Sequence, residues 1–427
     1  VLKARPARKG KEHRSFLKAG RIGIDLATGA RPSVSLHRND LLTQQARRPM
    51  FNYDSTQTSA VTGQRTAHSP CYLPALDGLR AISILLVLVA HAGLGQLVPG
   101  GLGVTIFFAI SGFLITRQIM QEIARTGRLG VRQFYTRRFL RLAPALLVYI
   151  ALATPLAIWF GARISLGSLL ASLFYVANYW WLYVGYPHGT PFPILWSLAV
   201  EEQYYILFPL LMAAFLPRPR SLAHAILALC ALALLWRLTL ATNCAGATSP
   251  ALLCGPQRPD MPPDARIYLG TDTRFDSILA GALTALLMQG TRWQTLASSS
   301  AAPALGLLIL LTALAIRAPL FRDTLRYTLE SAASAVAIGH LACAPRGALG
   351  ALLTARPLVL LGQLSYSLYL YHFAVSLVLL RLHGPFDWKS PAFYAFFALS
   401  LLLAATSYCL VERPVLRFRR GFGARAA

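Results

Sequence analysis

The 427 residues are 55% hydrophobic and only 13% charged, a composition that excludes an ordinary soluble protein of two or three domains. The net charge of +25 raises nucleic acid as a partner, but the 41 Lys and Arg gather in a tail and in short stretches between apolar runs, as topology determinants do, so no nucleic-acid partner is expected. Six cysteines without a CxxC pair offer no zinc-ribbon or thioredoxin-like spacing, and no metal site is expected.

The first 79 residues carry thirteen Lys or Arg and few large apolar side chains, too little apolar surface to offset the entropy of ordering. Residues 1–71 are therefore expected to be a disordered basic cytoplasmic tail, without the charged, apolar, small-residue succession of a cleavable signal peptide. Such a tail could meet anionic lipid or nucleic acid, but it is read as a solvated topology anchor.

From Arg80 onward apolar runs of about 17 to 25 residues recur, each long enough at about 1.5 Å per residue to cross a hydrocarbon core. They fall near 80–98, 103–120, 141–160, 166–184, 194–216, 221–241, 273–289, 302–316, 328–344, 358–382 and 392–412. The weakest is 166–184, because Asn178, Tyr179, Trp180 and Trp181 suit the interface better than the bilayer centre. With that segment outside, 17 basic residues fall in the loops and tail of one face and seven on the other; counting it as a span would move Arg218, Arg220 and the basic C-terminus to the less basic face. The expected fold is all-α, a polytopic transmembrane helix bundle of about ten spans over 72–418, with 419–427 a short basic tail and both ends cytoplasmic. Cys244 and Cys254 then share an extracytoplasmic loop, either as a short-range disulfide or as unpaired thiols.

Ionisable residues inside spans are costly, which makes them functional candidates. Arg80 and His91 are eleven residues apart, about 1100° of helical rotation and roughly 16 Å of rise, so both point to nearly the same side of one helix. A cation at the mouth with an imidazole deeper in suits an extended phosphate-headed donor whose reactive end reaches the histidine. Taken singly, Arg80 could be a snorkelling anchor and His91 a helix-to-helix hydrogen bond.

The stretch Leu76-Asp77-Gly78-Leu79-Arg80-Ala81 through His91 resembles the R-x10-H signature of the acyltransferase-3 family of integral membrane acyltransferases. Further blocks follow in the same order. Gly103-Val104-Thr105-Ile106-Phe107-Phe108 into Ser111-Gly112-Phe113-Leu114-Ile115 resembles the next block, with Thr105 where many members have Asp. Arg137-Arg138-x-x-Arg141-x-x-Pro144 is similar to the family's basic third span, and Trp196-Ser197-Leu198-Ala199-Val200-Glu201-Glu202-Gln203-Tyr204-Tyr205 to its SLxxE block. Arg274-Phe275-Asp276 leading to Gly281, Leu361-Gly362 with Ser365-Tyr366-Ser367-Leu368-Tyr369 and His372, and Val411-Glu412-Arg413-Pro414 complete a series running over about residues 72–418.

The resemblance implies an acyl-coenzyme A donor, acetyl at the acyl end, used from the cytoplasmic side of an inner membrane. The acceptor is a glycan or glycolipid hydroxyl presented from the other face, and Arg80 and His91 are indispensable. No permanently bound cofactor is expected, and membrane lipid is the remaining partner. Arg137, Arg138 and Arg141 are candidates for donor binding, against a pure topology role. Glu201 is about seven residues, roughly 10 Å, from the outer end of its span, a depth similar to that of His91. Glu201, or Glu202, is thus expected to orient or charge His91, which takes the acceptor hydroxyl proton as the thioester is attacked.

Arg274, Asp276, Tyr366 and His372 are candidates for acceptor binding. Arg274, Asp276 and Asp272 could instead pair with one another, and His372 could be a satisfied interhelical hydrogen bond. The HxxxD-like run His383 to Asp387 is read as coincidence, and no serine elbow, P-loop or HExxH motif is present. With only a short tail after Pro414, transfer is expected to finish within the membrane domain or with a separate partner. A multi-pass transporter is the alternative, since buried Arg, His and Glu also build substrate pathways, and a scaffold with a recruiting tail ranks below both.

Overall fold

The computed structural model describes residues 72–417, apart from 186, 216–217, 245–250, 256–260 and 263. The expected disordered tail, 1–71, and the short tail from 419 lie outside the described residues. Among the described residues there is no strand.

Helix α1 (Pro74–Val89) begins with proline at a position whose N–H needs no partner, and continues into a π-turn over Ala90–Leu94. That turn ends at Gly93, whose φ of 90° only glycine adopts without strain. α2 (Gly100–Thr126) stops at Gly127 in the left-handed conformation, and α3 (Val131–Trp159) carries Pro144 and Pro155 inside it. The doubtful segment 166–184 forms two short helices, α4 (Leu166–Leu173), capped by Ser165, and α5 (Ala177–Tyr183). Neither is long enough to cross a hydrocarbon core.

The chain continues with α6 (Leu195–Phe215), α7 (Pro219–Asn243), α8 (Ala251–Cys254), α9 (Ala265–Leu269) and α10 (Thr271–Leu287). After these come α11 (Thr291–Ser298), α12 (Ala301–Ala315), α13 (Pro319–Asp323) and α14 (Leu325–Cys343). The last are α15 (Ala348–Leu353), α16 (Arg356–Gln363), α17 (Ser365–His383) and α18 (Pro391–Ser407), which ends in a second π-turn over Tyr408–Glu412.

The chain is a multi-pass helical membrane protein. Among the described residues, seven stretches are long and apolar enough to cross a bilayer: Pro74–Leu94, Gly100–Thr126, Val131–Trp159, Leu195–Phe215, Arg220–Asn243, Ser365–His383 and Pro391–Arg417. Counting α11 and α12, bent by 75° against each other, as one span would make eight. The three other segments behind the expected ten all form helices, α10, α12 and α14. Two of these are short, 17 and 15 residues, and α14 carries Arg326, Glu330 and His340.

Burial separates the middle of the bundle from its rim. In α2, 72% of the apolar window is buried, against 22% in α7 and in α18. α7 turns Leu227, Leu232 and Leu235 outward, as a helix bathed in lipid would. Helix α2 packs against α1, α6, α10 and α14. It runs antiparallel to α1, with Gly103 against Ser83 and Gly100 against Ala90. Against α10 it runs parallel: a Cβ on Gly112 would collide with the carbonyl oxygen of Ile278, and one on Gly281 with that of Ala109. Lipid tails provide no hydrophobic drive for helix association, so backbone approach through small residues is what brings this pair together.

Candidate active site

One cavity, with about 700 Å3 of empty space including its open mouth, lies among α1, α2, α3, α6 and α17. Helical periodicity explains who lines it. Ser197, Glu201 and Tyr205 recur every fourth residue and form one stripe of α6; Arg138 and Arg141 share a face of α3. Arg80 comes from α1, Phe107 and Ser111 from α2, and Tyr366 and Tyr369 from α17.

Three guanidinium groups thus stand in the wall. Arg138 lies over the Tyr205 ring, 3.8 Å from its centroid, and its buried Nε has no hydrogen-bond partner. Arg137, one residue and 100° away, turns outward and pairs with Glu122 at 2.6 Å; Glu122 also accepts from the backbone N–H of Gly130 at 2.9 Å. Of the three arginines expected to bind a donor, Arg138 and Arg141 face the cavity, while Arg137 holds the turn between α2 and α3. Tyr366 lines the cavity and donates to the Leu142 carbonyl at 2.8 Å.

Glu201 accepts hydrogen bonds from Ser111 and, at 2.7 Å, from Tyr205. It does not meet His91, whose Nδ1 lies 2.9 Å from the Val87 carbonyl one turn back on its own helix. The expected Glu201–His91 pairing is therefore replaced by a local bond: the preceding turn already occupies the nitrogen that a carboxylate would have held. Glu202 has Arg138 and Glu201 as its charged neighbours. Glu412, in the second π-turn, accepts from Ser367 and faces Arg141 and Arg80 electrostatically.

His91 is not among the cavity-lining residues, yet it is two contacts away. Tyr369, in the cavity wall, hydrogen-bonds Ser197 at 2.6 Å, and its ring centroid is 5.7 Å from that of His372, one turn along α17. The His372 ring stands edge-on to the His91 ring at 5.0 Å, and Phe373 closes the other side of His91 at 5.5 Å. His372 is fully buried; its Nδ1 is 3.1 Å from the Leu368 carbonyl of its own helix rather than bonded across helices, and its Nε2 has no partner.

Arg274 and Asp276 lie apart from this path and do not pair with each other. Arg274, wholly buried, donates to Thr105 at 3.0 Å and stacks over Tyr327, 4.0 Å from its centroid. Thr105 in turn donates to Glu330 at 3.3 Å, and Glu330 is paired with Arg326 at 2.8 Å. Asp276 forms a buried ion pair with Arg237 at 2.7 Å, joining α10 to α7, and Asp272 pairs with Arg266 at 2.5 Å. Asp272 has both oxygens engaged, whereas Oδ1 of Asp276 is buried without a partner. Arg237 escaped the sequence reading although the signal was present, a lone arginine inside the apolar run 221–241. Glu330, a carboxylate inside the run 328–344, carried the same signal, whereas the roles of Ser111 and Tyr369 had none, because each depends on a partner far along the chain.

The profile of an acyltransferase domain family, acyltransferase-3, matches residues 73–410. Among curated proteins, the chain is 30% identical over 380 residues to O-acetyltransferase OatA of Staphylococcus aureus strain NCTC 8325, covering 84% of this chain and 59% of the relative. It is 29% identical over 376 residues to peptidoglycan O-acetyltransferase OatA of Listeria monocytogenes, covering 82% and 57%. With putative peptidoglycan O-acetyltransferase YrhL of Bacillus subtilis the figures are 30% over 369 residues, 81% and 55%. The chain thus spans less than two thirds of the length of these relatives. No solved structure matches it.

Proposed function

Since this chain belongs to the acyltransferase-3 family, we propose that it is a membrane O-acetyltransferase that moves an acetyl group from acetyl-coenzyme A to a hydroxyl of a cell-surface glycan. Peptidoglycan is the acceptor to test first, because the relatives of Listeria monocytogenes and Bacillus subtilis carry that word in their names. The donor enters from the cytoplasmic side and the acceptor from the opposite face.

The observation that carries this reading is the cavity with Arg80, Arg138 and Arg141 in its wall, continued through Tyr369 and His372 to His91. Guanidinium groups suit the phosphates of coenzyme A. His91 is set up as a base: a carbonyl can only accept, so Nδ1 carries the hydrogen and Nε2 keeps its lone pair. The acceptor hydroxyl gives its proton to Nε2 while its oxygen attacks the thioester carbon, and the coenzyme A thiolate departs. The Arg274 cluster supports the bundle beside this path rather than the chemistry.

The test is transfer of radiolabel from acetyl-coenzyme A into glycan by membranes holding the wild-type chain, His91→Ala or Arg80→Ala at equal protein level. Label should enter glycan with the wild type and fall at least about 100-fold with His91→Ala. Undiminished label in both variants would overturn the reading, and uptake of substrate without thioester consumption would favour a transporter.

A further inference from the structure

Most carboxylates near the path already have other partners, whereas Glu202 keeps a buried Oε1 without one. Glu201 is held by Ser111 and Tyr205, Glu412 by Ser367, Asp276 by Arg237 and Glu330 by Arg326. A histidine base usually leans on an acid that steadies its protonated form; here the polar side chain beside His91 is a second histidine. His372 repeats the arrangement of His91, with Nδ1 on a carbonyl of its own helix and Nε2 left with a lone pair. That Nε2 is buried and unpartnered, a state that buried polar atoms rarely keep without a use.

Two neutral imidazoles that each offer a lone pair cannot bond each other. Once one of them gains a proton at Nε2, they can. The rings of His91 and His372 stand edge-on with their centroids 5.0 Å apart, close enough for such a bond once the two Nε2 atoms turn toward each other.

We infer that His372 is the positioning partner of His91, accepting a hydrogen bond from Nε2 of His91 while His91 holds the acceptor's proton. The inference rests on the proposed function and deepens it. In the step, the acceptor O–H bond breaks as its oxygen bonds the thioester carbon, and the proton passes to Nε2 of His91. There it is shared with Nε2 of His372. The C–S bond then breaks, and the proton moves from His91 to the departing thiolate, which leaves as the free thiol with both histidines neutral again.

The titratable groups around the pair are Tyr369 and Tyr371 on α17 and Tyr149 on α3. Tyr369 and Tyr149 have their hydroxyls on the carbonyls of Ile194 and Pro191. The acids of α6 and of the end of α18 are Glu201 and Glu412, bonded as above, and Glu202, whose charged neighbours are Arg138 and Glu201. The polar ring in contact with His91 is that of His372, and the proton on His91 leans there.

The experiment measures kcat/KM against pH for acetyl transfer to glycan by the full chain in membranes, comparing wild type, His372→Phe and His372→Gln. His372→Phe should lose about 30-fold or more, the scale of a hydrogen bond to a charged group. Its acid limb should move to lower pH, because the imidazolium of His91 has lost its acceptor. His372→Gln, whose side-chain carbonyl can accept, should recover about tenfold of that loss and part of the shift. A His372→Phe variant with unchanged kcat/KM would overturn the inference, as would a loss with an unmoved acid limb that glutamine does not relieve. Absence of transfer by the wild type would overturn this inference together with the function it rests on, whereas transfer by the wild type with an indifferent His372→Phe overturns this inference alone.

Discussion

Arg137, Arg138 and Arg141 are chemically identical and nearly adjacent, yet the structure gives them separate tasks. If Arg138 meets a donor phosphate, Arg138→Ala should raise the KM for acetyl-coenzyme A about tenfold or more, since a charge-assisted hydrogen bond contributes about 1.5–3 kcal/mol. Arg137→Ala should move KM by less than about threefold, because its partially exposed ion pair with Glu122 serves the turn. Steady-state kinetics on membranes checks both, and equal effects would refute the division of labour. At this scale the sequence put Arg80 and His91 on one side of a continuous helix, whereas α1 passes into a π-turn at Ala90, and Arg80 lines the cavity while His91 does not. Nor could the sequence show that Glu201 turns to Ser111 and Tyr205 instead of His91, because the winning partners lie on α2 and one turn along α6.

Between elements, two kinds of contact hold α10 in place. Gly112 and Gly281 bring its backbone against α2, and neither the Ile278 nor the Ala109 carbonyl can retreat without unwinding a turn. Gly112→Val or Gly281→Val should therefore leave little folded protein, seen as aggregation on size exclusion in detergent; a monodisperse, active variant would contradict this packing. The second contact is the buried Arg237–Asp276 pair to α7. Arg237→Leu strands a buried carboxylate and should cost about 3–5 kcal/mol, while Arg237→Leu with Asp276→Leu should recover most of it. Thermal midpoints of the three proteins in detergent decide the matter. The break in 166–184 has a local cause legible in part beforehand: Tyr175 takes a positive φ of 55° between α4 and α5, and Gln203 of α6 donates to its carbonyl at 2.8 Å. The interfacial residues Asn178 to Trp181 pointed to a segment that does not cross; the turn itself needed Gln203.

Over the whole molecule, Cys244 and Cys254 form a disulfide close after α7, resolving the choice between bridge and spectator thiols. If that loop is extracytoplasmic, as the basic-residue count implies, a membrane-impermeant thiol reagent applied to intact cells should label Cys244 and Cys254 only after reduction. Labelling only after the membrane is permeabilised would reverse the topology. Introduced cysteines in 299–300 and 345–347 would then report on the same face, and one in 317–318 on the opposite face, if α12 and α14 both cross, which tests two of the three spans that separate seven from ten. Sequence by itself determined the helical class, the membrane setting and the family, because apolar run length, charge placement and short ordered motifs are properties of consecutive residues. Only tertiary structure decided which arginines face the cavity, that Asp276 belongs to Arg237, and that His91 stands against His372. Those choices depend on distances between residues tens to hundreds of positions apart, which helix packing fixes and chain order does not.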